Sequence, residues 1–472
     1  MIVPKGSPLW KPAQDCCLSA TNDPLVRLAL RSLPGLSRDQ TDTLRSISAF
    51  IRCSSPDTPQ VFVVAGFAGV GKTTIIGPIA EWCKQQILPF CFMAFTNSAV
   101  DAAKRRNPTI LASINAKTVH SVLYGPPKRG AFPIGAPHDK GLAGAQIAIL
   151  DEASLVPAAV MRDLLAVVKR RGMKLIVCGD PFQLGAVEGD EPRPFEPLLT
   201  PNVSMTQVVR QSNGSDVLHT ATAIRTNAKP ILPDTPLPNA LPPLSAEGAW
   251  RFPGRPHATR DLLLEVLRRN PGNAIAIVAS NHTRVHLNAA VREQLHGLTA
   301  APLYPHEPLI VLGNTKHHAN GERIYAPAWV ADATIEEHAV KRFDPATRRV
   351  YKERLVVFIS PEPDPSTNKL MKLALFPSTL APTLNLASLA AGQHLPHATQ
   401  RRLEALCDGA TPVSYYYAGT CHKAQGKEWD DVVVIPPTTL DSDTTHAARW
   451  YYTAYTRARK RLYVEDRALP AV

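Results

Sequence analysis

The chain is 472 residues long, enough for about three domains with buried cores. Its 44% hydrophobic content excludes a disordered or fibrous protein. The net charge of +12, from 52 Lys and Arg against 40 Asp and Glu, favours a polyanionic partner without identifying one. Eight cysteines with no C-x-x-C pair exclude a disulfide scaffold, and no run approaches the roughly 18 uncharged apolar residues of a membrane span. The expectation is a cytoplasmic protein without membrane contact.

The first clear element is 61–65, an apolar, β-branched run that reads as a buried parallel strand. Similar runs at 90–95, 145–150 and 174–178 alternate with helix-compatible stretches, so residues 1–229 read as one α/β domain with helices over a parallel sheet. A short insertion at about 123–140 carries Gly125-Pro126-Pro127, Phe132 and Pro133. Eight prolines between Pro230 and Pro256 are incompatible with a continuous helix or central strand, so 230–256 reads as a linker. Strand signals resume at 274–279 and 431–435, which predicts a second α/β domain over 257–302 and 382–472. Between them, 303–381 shows short apolar runs and turn signals at Gly313-Asn314 and Asn320-Gly321, the pattern of a small β-barrel. Its basic run, Lys341, Arg342, Arg348, Arg349, Lys352 and Arg354, fits a solvated hairpin or a nucleic-acid contact.

Directly after the first strand stands Gly66-Phe67-Ala68-Gly69-Val70-Gly71-Lys72-Thr73, a complete G-x-x-x-x-G-K-T. Glycines let backbone N–H groups curl around phosphate oxygens, Lys72 reaches the β and γ phosphates, and the Thr73 hydroxyl is placed for Mg²⁺ at a helix N-terminus. Gly66, Gly69, Val70, Gly71, Lys72, Thr73 and Thr74 are therefore the candidate phosphate cradle. Gly77-Pro78 in the following helix predicts a kink. The strand 147–150 leads into Asp151-Glu152-Ala153-Ser154: Asp151 is the second metal-site carboxylate, and Glu152 the group that orients and deprotonates an attacking water. After 174–178, Gly179-Asp180-Pro181-Phe182-Gln183 puts an amide at another strand end, where Gln183 can sense the γ phosphate. Nucleoside triphosphate hydrolysis is the implied reaction class, with ATP and Mg²⁺ as cofactors.

In order and company these motifs resemble those of the superfamily 1 helicases, more closely the branch of the RecD subunit and the phage Dda helicase. The resemblance covers nearly the whole chain. It implies an α/β fold of two RecA-like P-loop motor domains with an SH3-like barrel inserted in the second. Leu36-Ser37-Arg38-Asp39-Gln40 resembles the segment whose glutamine reads adenine, which implies that role for Gln40. Ala94-Phe95-Thr96-Asn97 and Thr118-Val119-His120-Ser121 resemble strand-contacting motifs, implying DNA contacts from Thr96, Asn97, Thr118 and His120. Val209-Arg210-Gln211 implies that Arg210 meets the γ phosphate. Thr420-Cys421-His422-Lys423-Ala424-Gln425-Gly426 is similar to the family's T-x-H-K-x-Q-G, implying DNA contacts from Thr420 and His422 and nucleotide contacts from Gly426 and Glu428. Tyr452-Thr453-Ala454-Tyr455-Thr456-Arg457 implies that Arg457 is the arginine finger.

The pattern departs from the family at Val209, where relatives carry an adenine-stacking aromatic, at Gly419 and Cys421, where bulkier apolar residues are common, and at Gly185-Ala186 in place of prolines. The segment 123–140 occupies the place of the family's duplex-splitting pin, with Phe132 as the wedge. The resulting expectation is a monomeric, ATP-driven helicase or translocase on single-stranded DNA and on single/double-strand junctions. Movement 5′ to 3′ and a place in replication or recombination are implied by the resemblance alone. An RNA or RNA–DNA helicase and an ATP-binding assembly factor stay open as alternatives, since Thr, Asn and His contacts to a backbone do not choose the sugar.

Overall fold

The computed structural model describes residues 22–53, 60–125, 133–138, 140–185, 201–207, 216–297, 301–313, 315, 318, 321–344, 349–365, 367–379, 384, 386–437 and 444–466. The chain divides into two compact units, 1–215 and 216–472.

The first unit runs α1 (Pro24–Ser32), α2 (Arg38–Arg52), β1 (Val61–Gly66), α3 (Lys72–Gln85), β2 (Phe90–Ala94), α4 (Asn97–Arg106), β3 (Lys117–Thr118), α5 (Val119–Tyr124), β4 (Ile147–Asp151), α6 (Ala158–Arg171), β5 (Lys174–Gly179) and β6 (Val203–Met205). Its six strands form one all-parallel sheet in the order β3-β2-β4-β5-β1-β6. The apolar runs lack a polar alternation because both faces are covered. Phe62, Val64, Ile147, Ile149 and Ile176 pack with Leu25, Leu44, Ile47, Ile75 and Ile79 of α1 to α3. The intervening Val63, Ala148, Leu150, Leu175 and Val177 pack with Val122 of α5 and Val160 and Leu164 of α6. Each fully buried aliphatic side chain contributes about 1.5–3 kcal/mol relative to exposure. Lys174 fixes the end of α2 by donating to the carbonyls of Phe50, Ile51 and Cys53 at 2.6, 2.8 and 2.6 Å.

Register puts the chemistry at one edge. Ala65 pairs with Gly179 and Leu150 with Val177, so the strands of Gly66, Asp151 and Asp180 all deliver those residues at carboxyl ends, where an open parallel sheet presents its ligand site. Helix α3 runs from Lys72 to Gln85 through Pro78. A side chain at Gly77 would meet Asn107 Oδ1 at 2.1 Å, so close packing accounts for that glycine.

The second unit comprises α7 (Asp216–Asn227), β7 (Gly248–Pro253), α8 (Pro256–Arg269), β8 (Ala274–Val278), α9 (Asn281–His296), β9 (Pro308–Val311), β10 (Arg323–Tyr325), β11 (Thr334–Asp344), β12 (Arg349–Pro363), β13 (Leu370–Leu375), α10 (Leu386–Ala391), α11 (His397–Cys407), β14 (Thr411–Tyr415), β15 (Ala418–Thr420), α12 (Cys421–Ala424), β16 (Trp429–Ile435), α13 (Thr444–Tyr455) and β17 (Ala458–Asp466). A five-stranded parallel sheet has the order β15-β8-β16-β17-β7. A second sheet has the order β10-β9-β14-β13-β12-β11, antiparallel except between β13 and β14. One continuous core, including Ala276, Val278, Val356, Phe358, Leu375 and Val413, joins the two.

Three boundaries differ from the sequence expectation. Residues 216–227 form a helix of the second unit rather than closing the first domain. The expected linker 230–256 contains β7, an edge strand whose Pro253 sits at its end, where a missing N–H is tolerated. Among the described residues the inserted strands lie in one sheet that runs from β10 to β11, with no pairing between those two strands to close it as the barrel expected over 303–381. That sheet also takes in β14, because the chain returns after α11 to lie between β13 and β9. Among the described residues no helix is long and apolar enough to cross a membrane.

Candidate active site

The phosphate loop is set by backbone conformations that favour glycine. Gly69 and Gly71 have φ of +82° and +81°, and Gly71 caps the start of α3. A side chain at Gly66 would lie 2.9 Å from Val70 Cγ2 and 3.0 Å from Lys72 Cγ. Lys72 leads the helix and donates from Nζ to the carbonyls of Gly66 at 2.6 Å and Phe67 at 2.9 Å, so its ammonium lies over the loop. Val70 is fully buried and anchors the loop, while Thr74 stands exposed one residue after Thr73.

Thr73 and Asp151, 78 residues apart in sequence, meet here: Thr73 Oγ1 donates to Asp151 Oδ2 at 3.2 Å. Asp151 is almost wholly buried, and burial raises its pKa. The Glu152 N–H, the Lys72 charge and the Thr73 hydroxyl offset that rise. Glu152 follows with φ +54° and ψ +36°, a left-handed conformation unusual for a glutamate. Its N–H donates to Asp151 Oδ1 at 2.9 Å, so the strained turn also orients the carboxylate beside it.

At the end of β5, Asp180 accepts from the Phe182 N–H at 3.0 Å and from Gln183 Nε2 at 3.4 Å. This fixes the Gln183 amide and leaves its buried Oε1 without a hydrogen-bond partner among the described residues. The buried Ser154 hydroxyl likewise has none. Ser154 lies in the Asp-Glu-Ala-Ser run, where the motif assigns it no role; its buried oxygen, unpartnered among the described residues, is the signal. Thr73 and Asp151 make an all-oxygen donor pair of the kind Mg²⁺ takes.

Gln40, the residue expected to read adenine, lies against the phosphate loop, its Oε1 accepting from the Ser37 N–H at 2.9 Å and its Nε2 donating to the Val70 carbonyl at 3.2 Å. The first contact belongs to a capping box that starts α2, with the Gln40 N–H returning to Ser37 Oγ at 3.2 Å. The amide therefore braces the loop from below.

The expected strand contacts divide. Thr96 caps α4, accepting from the Ala99 N–H at 3.1 Å, and Asn97 begins that helix partly buried. Thr118 is buried, and its hydroxyl accepts from the Ser121 N–H at 3.3 Å and donates to Ser121 Oγ at 3.0 Å. That oxygen caps α5. His120 lies between the rings of Phe95 and Tyr124, at 5.5 and 6.2 Å between centroids, and burial lowers its pKa, favouring the neutral imidazole. Phe132 and Arg210 lie outside the described residues.

In the second unit, Thr420 is buried at the start of α12, and His422 is partly buried, with burial and His446 holding its pKa down. Gly426 takes φ +73° just after α12, and Glu428 is partly buried. Arg457 is buried; its guanidinium donates from Nε to the Thr453 carbonyl at 3.0 Å, from Nη1 to the Lys427 carbonyl at 3.2 Å and from Nη2 to Thr456 Oγ1 at 2.9 Å. Gly419 is explained by its neighbour, since a side chain there would strike the Tyr416 ring at 2.7 Å.

Residues 36–235 match a family model described as an AAA domain, and residues 415–464 match one described as the UvrD-like helicase C-terminal domain. Over 189 residues the chain is 29% identical to the ATP-dependent RecD2 DNA helicase of Deinococcus radiodurans, a stretch that is 40% of this chain and 23% of that protein. Together the two matches put an AAA-domain region and a UvrD-like helicase C-terminal region in one chain. Among solved structures it is similar to a Pif1 helicase from Bacteroides, at 17% identity and a TM-score of 0.48 over 91% of this chain and 92% of that one. A Pif1 helicase from Candida albicans has 16% identity and a TM-score of 0.46 over 91% and 94%. Both matches fall on the residues described above: the first contains the phosphate loop and Asp151-Glu152, and the second contains Thr420 to Glu428 and Arg457.

Proposed function

We propose that this protein is an ATP-driven helicase or translocase acting on single-stranded DNA, with the parallel-sheet unit at each end of the chain serving as a motor. The observation that carries the proposal is the meeting of Thr73 Oγ1 and Asp151 Oδ2 at 3.2 Å beside a glutamate held in a left-handed turn. Thr73 and Asp151 would hold Mg²⁺, which when bound neutralises charge on the triphosphate. The loop N–H groups and Lys72 bind the phosphates, Glu152 orients the attacking water and takes its proton, and the buried Gln183 Oε1, unpartnered among the described residues, is an acceptor for that water. Arg210 and Arg457 supply positive charge to the transferred phosphoryl group.

The identity to RecD2 supports DNA as the substrate, and the motif resemblance supports 5′-to-3′ movement. Thr96, Asn97, His120, Thr420 and His422 are the proposed backbone contacts, with junction binding and a monomeric state completing the reading. Duplexes carrying only a 5′ or only a 3′ single-stranded tail test it. Unwinding from the 5′ tail is expected; unwinding from the 3′ tail alone would overturn the direction, and stimulation of hydrolysis by RNA but not DNA would overturn the substrate.

A further inference from the structure

The motif that runs from Thr420 to Gly426 is followed by Lys427, whose two ends reach different parts of the second unit. Lys427 Nζ donates to the carbonyl of Gly321, in the turn between β9 and β10 of the inserted sheet, and lies 5.0 Å above the Tyr416 ring. Its own carbonyl accepts from Arg457 Nη1 at 3.2 Å. The Trp429 N–H, two residues on, donates to the Arg457 carbonyl at 2.9 Å. The Gly321 turn is itself pinned, its N–H donating to the Val311 carbonyl at 2.7 Å, with φ +80°. Tyr416 is fully buried and holds the loop from the other side, its hydroxyl donating to the Lys423 carbonyl at 3.4 Å. A continuous set of contacts thus runs from the inserted sheet through one lysine to the guanidinium of Arg457.

We propose that Lys427 is a positioning residue that sets the Arg457 guanidinium by tying residues 426–429 to the Gly321 turn. Arg457 then takes its place only when the inserted sheet holds the loop, so a load on that sheet is transmitted to the arginine. A mere surface lysine would not be enclosed by an aromatic face, a backbone carbonyl and other cations. Burial, together with Lys423 and Arg323 nearby, pulls its ammonium down to about 7, partly opposed by Glu322; Lys423 is pulled down to about 8 by burial and Arg284.

The inference rests on the proposed role of Arg457. The test is steady-state ATP hydrolysis by the full chain with saturating oligothymidylate, comparing Lys427→Met, Lys427→Arg, Arg457→Ala and the Lys427→Met/Arg457→Ala double variant. Lys427→Met keeps the length and apolar stem but loses the donor. It is expected to lower kcat about tenfold with KM for ATP unchanged, since a small displacement of a catalytic group reduces rate more than binding. Lys427→Arg, which keeps a donor, is expected to recover most of the rate. In the Arg457→Ala background the Met substitution should add no further loss. Wild-type kcat in Lys427→Met, or an equal loss with and without Arg457, would overturn the proposal. If Arg457→Ala itself retains full hydrolysis, the role of Arg457 falls instead. Should Lys427→Met not fold, failure of the soluble Lys427→Arg variant to exceed the Arg457→Ala rate would overturn it.

Discussion

Glu152 occupies a conformation that its own side chain disfavours, and replacing it separates stability from activity. A non-glycine residue in the left-handed region costs about 1–2 kcal/mol. Glu152 has φ +54° and ψ +36°. Asparagine populates that region several-fold more readily than most residues, which recovers about 0.5–1 kcal/mol. Glycine relieves the whole steric cost but loses about 0.5–1 kcal/mol in chain entropy, leaving it about 0.5–1 kcal/mol above the wild type. Glutamine keeps both the strain and the shape. The expected order of stability is Glu152→Asn and Glu152→Gly above wild type, with Glu152→Gln close to it, while all three lose hydrolysis by at least about a hundredfold, the usual contribution of a general base. Denaturant unfolding monitored by circular dichroism, together with phosphate release, measures both. An asparagine variant less stable than wild type by 1 kcal/mol or more, or one that still hydrolyses ATP at a comparable rate, would refute the idea that the turn is strained for the sake of the carboxylate.

Other consequences follow from the same geometry. Gly71→Ala adds the left-handed cost to a clash 2.2 Å from Gln40 Nε2, displacing the amide from Val70; a loss of about 2–3 kcal/mol in unfolding free energy and of ATP binding is expected, and a loss below 1 kcal/mol would contradict it. Asp431 accepts from Arg461 Nε at 2.5 Å and Nη2 at 2.8 Å and from Asn270 Nδ2 at 2.6 Å, so Asp431→Ala strands a buried guanidinium and should cost about 3–5 kcal/mol, read as a shift in denaturant midpoint. Lys427 has its pKa lowered from 10.5 to about 7. Between those values the unfolded chain holds a proton that the folded chain has released, so stability relative to Lys427→Met rises with pH through that window and is level below it. A difference that falls with rising pH would refute the buried placement.

The strands of the parallel sheets were legible where both faces are buried: β1, β2, β4, β5, β8 and β16 are short apolar runs, because alternate residues enter two separate cores. The inserted sheet was legible only as strands. Its order depends on β14, whose sequence Thr-Pro-Val-Ser-Tyr resembles a turn-rich segment and whose partners Leu373 and Val311 lie far along the chain. The same limit hid β7, which reads as part of a proline-rich connection until it pairs with β17. At the site, Gly66 to Thr73, Asp151 and Glu152 were legible because a phosphate loop and a strand-end carboxylate carry their chemistry in local sequence. The capping roles of Gln40 and Thr118 were not, since a cap depends on where the helix starts rather than on the motif around it. Lys427 had no local signal; its significance comes from Gly321, 106 residues away.

The most direct test of the account is the rate of ATP hydrolysis by the purified chain with and without single-stranded DNA, beside Glu152→Gln. A motor predicts a low basal rate, severalfold or greater stimulation by DNA, and loss of both in the variant. A wild-type rate that DNA leaves unchanged, or that matches Glu152→Gln at saturating DNA, would contradict it.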